Sequence, residues 1–278
     1  MPWQPDSTWS PLTPGSGISN GGVWRTSDGL VVKRLLPGAE NPAHYTYWRR
    51  QAEVAASRLL ETTTGLRAPR CVRVEHDPDG ITLWTEAIDG GAVEVIDAAA
   101  ALGRFNANEL KPADWFARQV LRDRLANDER RGGWVALESA AVVPEPVRRS
   151  GARLWSRRHA VLAELDRLPQ TLVHGDFHPL NLLGRDGDVV IATDWEQFGI
   201  GPVGFDLGYL LLSTDHPLEK LVAAYRVGDA EVVRRGTVLT AAVTAVARAA
   251  WSLGQPEPGD HVERLVRLAD VVAEAVEG

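Results

Sequence analysis

The stretch that most constrains this chain covers residues 172–196. Three short apolar runs, Leu172-Val173, Leu182-Leu183 and Val189–Ala192, read as strands. The last two are separated by Arg185-Asp186-Gly187-Asp188, an Asp-Gly hairpin turn. Two acidic motifs, HGDFHPLN (174–181) and TDWE (193–196), therefore stand at strand ends. This small sheet is set in a region that otherwise reads as helix, over 114–125, 146–168, 205–213, 217–225, 239–253 and 261–277.

The first 90 residues have a different character, reading as hairpin, helix, hairpin. Val23 and Trp24 lead through Ser27-Asp28-Gly29 into the run LVVKRLL (30–36). Trp48, Ala52, Ala55 and Leu59 recur at helical spacing and predict a helix over 41–60. Strands at 71–75 and 81–86 join through the turn Asp77-Pro78-Asp79-Gly80. The paired glycines of Ile88-Asp89-Gly90-Gly91 interrupt the strand, and an alanine-rich helix follows over Val95–Asn106. The expected organisation is an N-terminal lobe of residues 1–87 and a C-terminal lobe of 88–278, with a hinge at about 84–91.

Composition narrows the function. With 278 residues, 44% of them hydrophobic, the chain can bury a substantial core. A single cysteine, Cys71, excludes an intramolecular disulfide, and a cytoplasmic setting is the default. The start MPWQPDSTWSPLTPGSG lacks both a positive segment and an apolar run, so neither a secretory signal nor an anchor is expected there. The apolar stretch 239–253 is short and carries Arg248, which argues against a membrane span. A net charge of -7 disfavours general nucleic-acid binding, and nothing points to an obligate protein partner.

The chemistry lies in the two acidic motifs. Phosphoryl transfer requires a held nucleotide, a metal ion bridging its phosphates, and an aligned acceptor hydroxyl relieved of its proton. Asp176 precedes Asn181 by five positions. That spacing lets one tight loop present a carboxylate to a hydroxyl and an amide oxygen to magnesium. Asp194, just after the strand Val189–Ala192, offers a second hard oxygen ligand. Upstream, the glycine-rich run GSGISNGG can wrap phosphates with backbone N–H groups, Ser19 and Asn20 adding donors, although Asn20 occupies the last glycine position of a GxGxxG pattern.

These motifs make the chain resemble the aminoglycoside phosphotransferase family, relatives of the eukaryotic-type protein kinases that have HGDxxxxN in place of HRDxxxxN. The resemblance covers nearly the whole chain. It implies an α+β, bilobal, protein-kinase-like fold: a small antiparallel-sheet lobe with one main helix, and a larger, mostly helical lobe. It also implies Asp176 as catalytic base, Asn181 and Asp194 as Mg2+ ligands, and His174 as a brace of the catalytic loop, with His178 where the family often has histidine. Lys33 matches the phosphate-contacting lysine, with Glu53 as its ion-pair partner and Glu40 or Glu61 as competitors. The nucleotide, ATP or GTP, would lie against the linker, where Glu86 and Ile88 present a carbonyl and an amide.

Asp206 opens an apolar helix, either capping it or bonding to the catalytic-loop backbone. Only eleven residues separate Asp194 from Asp206, too few for the peptide-docking segment of protein kinases, so a small acceptor is expected. Glu196 stands where protein kinases have the glycine of DFG.

The acceptor expected first is an aminoglycoside, amino sugar or related compound, with a plain sugar or an amino alcohol as the alternative, and the surrounding charge does not choose among them. An acidic tail (Glu257, Asp260, Glu263, Asp270, Glu274) would suit a polycation. The arginines 148, 149, 153, 157 and 158 would suit an anionic or neutral acceptor. Trp115, Trp134, Trp155 and Trp251 are either core or stacking platforms for a sugar ring. The alternative to an active kinase is a nucleotide-binding pseudokinase acting as an interaction module, although no required group is missing.

Overall fold

The computed structural model describes residues 3–12, 20–130, 134–255 and 259–277, with the backbone alone at Asn20. Its first part is a five-stranded antiparallel sheet in the order β1-β2-β3-β6-β5, built from β1 (Ser10–Leu12), β2 (Asn20–Arg25), β3 (Leu30–Leu35), β5 (Cys71–Asp77) and β6 (Gly80–Glu86). The two predicted hairpins are therefore present, zipped to each other through β3 and β6, where Lys33 faces Leu83. Between them come α1 (Arg50–Ser57) and β4 (Leu66–Arg67). The segment leading into β1 adds a tryptophan cluster on the sheet, with Trp3 5.4 Å from Trp24 and Trp9 5.1 Å from Trp84. Leu35, Ile81 and Leu83 pack with Trp48 and Ala52 into a small apolar core. Burial of the side chains that point to one face of each strand drives that layer.

The predicted helix over 41–60 is cut to eight residues. Residues 41–49 run mostly as turns, and Arg58 ends α1 in the left-handed region, φ 56°. The side chain of Arg50 bonds to the carbonyls of Pro42, His44 and Tyr45, which competes with helical pairing in that stretch.

Beyond Glu86 the helices dominate: α2 (Val95–Asn106), α3 (Val120–Arg130), α4 (Val135–Ser139), α5 (Glu145–Leu165), α6 (Phe205–Leu212), α7 (Leu218–Tyr225), α8 (Ala230–Leu253), α9 (His261–Arg267) and α10 (Ala269–Glu277). The helix expected at 239–253 begins earlier, because Asp229 caps the amides of Glu231 and Val232. That gives α8 the length and hydropathy of a membrane span, yet 83% of its apolar window is buried inside the protein. It is the central strut, packed on by α5, α6, α9 and α10. The expected terminal helix is broken at Leu268 into α9 and α10.

Four further strands carry the chemistry: β7 (Gln170–Val173), β8 (Leu182–Asp186), β9 (Val189–Ala192) and β10 (Gly199–Pro202). β8 and β9 form the predicted hairpin, and β10 returns antiparallel to β7, with Gly199 opposite Val173. β4 adds to the hairpin in parallel with β9, pairing Leu66 with Val190. The larger apolar core therefore reaches back past Glu86 to include Val54, Leu60 and Leu66. Gly90 in the linker lies against β8, and a Cβ there would come within 2.6 Å of the Gly184 Cα. The paired glycines thus permit two backbones to touch.

Candidate active site

β7 delivers His174 and Gly175 into a turn that only glycine accommodates. Gly175 has φ +90°, and a Cβ on it would stand 2.5 Å from both Cβ and O of Gln197. The turn is tied down by Asp206 at the start of α6, whose carboxylate accepts from the amides of His174 at 2.7 Å and Gly175 at 2.9 Å. Of the two roles expected for Asp206, it takes the bond to the catalytic-loop backbone. Burial pushes its carboxyl up to about 7, against the two amides that favour its charged form.

His174 is fully buried and spans both acidic motifs. Its Nε2 lies 2.8 Å from the carbonyl of Thr193, and its Nδ1 accepts from the Asp176 amide at 3.3 Å. That network assigns the neutral Nε2–H tautomer, and burial drives the ring's pKa down to about 4. Asn181 adds a second tie: its Nδ2 donates to the Asp176 carbonyl at 2.9 Å, and its own carbonyl accepts from Thr193 N at 2.9 Å. With Nδ2 committed, the amide oxygen of Asn181 is the atom left to coordinate a cation.

Asp194 adopts a left-handed backbone, φ 60° and ψ 50°, a conformation that Asp tolerates better than most residues. One carboxylate oxygen accepts from Lys33 Nζ at 2.5 Å, which joins β3 of the first sheet to the end of β9. The donor set beside the catalytic loop is thus one amide oxygen and one carboxylate, hard ligands that suit magnesium. Among the described residues no cluster of three His, Cys, Asp or Glu side chains forms a self-sufficient metal cage. Magnesium sites completed by phosphate oxygens and water need none.

The expected Lys33–Glu53 pair is not made. Lys33 turns to Asp194, while Glu53 lies on α1 where, after burial, its charge helps raise the Tyr47 phenol. Glu40 and Glu61, the competitors, bond to Trp48 and Arg49 and to Arg58. Glu86 turns away from the linker: its carboxylate accepts from Arg67 at 2.8 Å and from the Arg70 amide at 2.9 Å, and its own amide donates to the Arg70 carbonyl. Its side chain lines a cavity of about 250 Å³ with Arg58, Arg67, Arg70 and Cys71, apart from the acidic motifs. Ile88 is half-buried in the linker near Gly184. Asn20 pairs through its backbone with Leu35, and Ser19 lies outside the described residues.

Around Asp176 the structure gathers His178 from the same motif and two arginines from outside it. Its Oδ1 is 3.7 Å from Arg124 Nη2 and 3.5 Å from Arg248 Nη2, and its Oδ2 is 3.5 Å from His178 Nε2. Burial alone would raise its carboxyl, but His178 and the two guanidiniums hold it well below the usual carboxylate range. Asp176 is therefore ionised at neutral pH and able to receive a proton. Arg124 is fixed by Tyr209 Oη and Gln197 Oε1, each at 2.5 Å. For the two arginines the one sequence signal was Arg248, a lone charge in an alanine-rich helix.

Several of the charges noted in the sequence are paired away from Asp176. Glu274 pairs with Arg234 and Asp260 with Arg264; Glu257 lies outside the described residues. Arg148 and Arg149 share Glu145, Arg158 takes Glu129, and Arg157 donates to the Val276 carbonyl. Trp134 and Trp155 stack on each other, Trp115 packs on Phe116 and Phe198, and Trp251 is 40% exposed.

Comparison with known proteins agrees with this architecture. The chain matches the phosphotransferase enzyme family, APH, over residues 12–237. Among solved structures it is similar to a choline/ethanolamine kinase family protein from Mesorhizobium loti, with TM-score 0.64, 19% identity, and coverage of 97% of this chain and 92% of the other. It is similar also to the GDP and kanamycin complex of APH(2")-IIia, with TM-score 0.65, 14% identity and coverage of 96% and 93%. The aminoglycoside phosphotransferase APH(3'')-Id from Streptomyces rimosus, in complex with ADP and streptomycin, gives TM-score 0.57, 16% identity and coverage of 94% of both chains. Comparison with curated proteins gives no match.

Proposed function

Since the chain belongs to the APH phosphotransferase enzyme family and is a small-molecule kinase, we propose that it moves the terminal phosphate of ATP or GTP to a hydroxyl of a small molecule, with Asp176 as base. The observation that carries this is the loop from His174 to Asn181. It holds an ionised carboxylate and an uncommitted amide oxygen on one turn, bolted by His174 to the strand end that bears Asp194. The acceptor oxygen bonds to the γ-phosphorus as the bond to the β-phosphate bridging oxygen breaks, and the hydroxyl proton passes to Asp176. Asn181 and Asp194 would hold Mg2+, which would supply positive charge against the negative charge that develops on the phosphates.

Lys33 supports the nucleotide phosphates, with Glu53 as the second carboxylate available to it when Asp194 engages the metal. The glycine-rich run with Ser19 and Asn20 is assigned to phosphate binding, and the linker backbone from Glu86 to Ile88 to the base. A cytoplasmic setting, where nucleotide triphosphate and magnesium are both at hand, belongs to the same proposal. The aminoglycoside or amino-sugar acceptor suggested by the kanamycin and streptomycin complexes is the second reading. At 14–16% identity that likeness extends to the fold alone.

Asp176→Asn tests the assignment. Acceptor-dependent release of nucleotide diphosphate is expected to fall by about 10²–10⁴-fold, the usual size of a general-base contribution, while nucleotide binding persists. Equal turnover by the variant and the wild type would favour a nucleotide-binding pseudokinase instead.

A further inference from the structure

Asp176 has more cationic company than one carboxylate requires. Two guanidiniums lie within 4 Å of the same oxygen, and neither makes a hydrogen bond to it. Arg248 stands on α8 among side chains that are almost all buried, and it makes no hydrogen bond to protein among the described residues. Its side chain is 27% exposed and its ion pair is the 3.5 Å contact with Asp176, so part of the side chain stays accessible to a second anion.

Both guanidiniums are also oriented in advance. Arg124 and Arg248 lie against the one ring of Tyr209, 5.2 and 5.0 Å from its centroid, and Arg124 is locked by Tyr209 Oη and Gln197 Oε1. The other carboxylates nearby are shared with other cations. Asp194 is held by Lys33, and Glu196 acts on Arg124 and Arg50 together. Of the acids of the C-terminal segment, Glu274 pairs with Arg234 and Asp260 with Arg264, while His261, next to Asp260, lies close enough to Arg248 to feel its charge.

We infer that the acceptor carries an oxyanion beside the hydroxyl to be phosphorylated, as a hydroxy acid or sugar acid does, and that Arg124 and Arg248 hold it. This rests on the phosphotransfer reading above and names its substrate class. Two fixed guanidiniums recognise a carboxylate through paired N–H donors. They place its neighbouring hydroxyl at Asp176, and they repel an ammonium-rich aminoglycoside or a quaternary amine at the same spot. Asp176 tolerates the incoming anion because its own charge is already matched.

The test uses the full chain with Mg2+ and a non-hydrolysable ATP analogue. Calorimetry compares D-glycerate with glycerol, D-gluconate with D-glucose, and each with glycerol 3-phosphate, kanamycin and choline. The acid of each pair is expected to bind roughly ten-fold or more tightly than its neutral partner, the size of one charge-assisted contact. In Arg248→Gln that preference collapses, while affinity for the analogue is retained. In turnover the same variant raises KM for the acid by a larger factor than it changes kcat, and Arg248→Lys restores part of the preference. Tighter binding of glycerol 3-phosphate than of glycerate supports the anion site and assigns it to a phosphate ester.

Equal or better binding of the neutral compounds, kanamycin or choline overturns the inference. So does a preference for acids that survives in Arg248→Gln, a fall in kcat common to all acceptors with KM unchanged, or binding of the analogue with no binding of any acid. Failure of the wild type to bind the analogue removes the phosphotransfer reading, and this inference with it.

Discussion

Five backbone carbonyls converge on Arg50. Its Nε donates to Trp115 O at 2.7 Å, Nη1 to Tyr45 O at 3.1 Å and Glu196 O at 2.8 Å, and Nη2 to Pro42 O at 2.6 Å and His44 O at 2.8 Å. A guanidinium has five N–H donors, so every one is used. Burial lowers its pKa to about 10, which still leaves it charged at neutral pH. One side chain thereby joins the start of α1 to the turns before it, to the segment before α3, and to the peptide two residues beyond Asp194. Arg50→Met leaves these carbonyls without their donor and is expected to cost about 3–5 kcal/mol, read from the midpoint of urea unfolding. Arg50→Lys, with three donors, recovers part of it. A loss below about 1 kcal/mol would show that water or other groups replace the guanidinium. Nothing in the sequence separates this residue from its neighbour Arg49, which forms a half-exposed pair with Glu40. Only the tertiary carbonyls distinguish them.

At the scale of elements, the catalytic turn between β7 and β8 sets two buried titrations against each other. His174 has a folded pKa near 4 against an ordinary 6.5, so the unfolded chain binds its proton first and stability is lost as pH falls from 6.5 through 4. Asp206 has a folded pKa near 7 against 3.8, so the folded chain keeps its proton longer and stability is lost as pH rises from 4 through 7. The two slopes oppose each other over most of that window. Asp206→Asn removes one of them. The stability of wild type relative to this variant should fall by about 1.4 kcal/mol per pH unit between pH 4.5 and 6.5, measured by urea unfolding at each pH. Parallel curves for the two proteins would show that Asp206 does not titrate there. The turn was legible because its cues are local: a glycine, a five-residue spacing and a hairpin on either side of Gly187. α2 was legible for the same reason, and its predicted bounds hold. β4 and β10 were not, since each is short and pairs only with a strand distant in sequence. The guanidiniums of Arg124 and Arg248 meet Asp176 from two separate helices, α3 and α8, a proximity that no spacing along the chain encodes.

Across the whole molecule, the antiparallel sheet, α1 with the turns before it, and β4 are joined to the rest of the chain by several polar links, among them Tyr45 N to the Asp123 carboxylate and Arg118 N to the Ala43 carbonyl. Lys33 to Asp194 is another, as are Arg50 to the Glu196 carbonyl and the parallel pairing of β4 with β9. A nucleotide held by Lys33 on one side and by magnesium on Asn181 and Asp194 on the other would add a further link, present only in the folded chain. Such a ligand stabilises by about 2.7 kcal/mol at a hundred times its Kd. With unfolding entropy near 2.1 cal/mol/K per residue, a chain of 278 residues should melt about 5 °C higher when that nucleotide is bound with Mg2+. Magnesium alone should change little, because two protein ligands hold it weakly without phosphate oxygens. Asp194→Asn should lose the magnesium-dependent part of the shift, and Lys33→Met should weaken the nucleotide with or without metal. Thermal melts with ATP and GTP, each in magnesium and in excess chelator, separate these contributions and rank the two nucleotides. An identical shift in magnesium and chelator, in both wild type and Asp194→Asn, would place the metal elsewhere and leave Lys33–Asp194 as a purely structural bridge between the two cores.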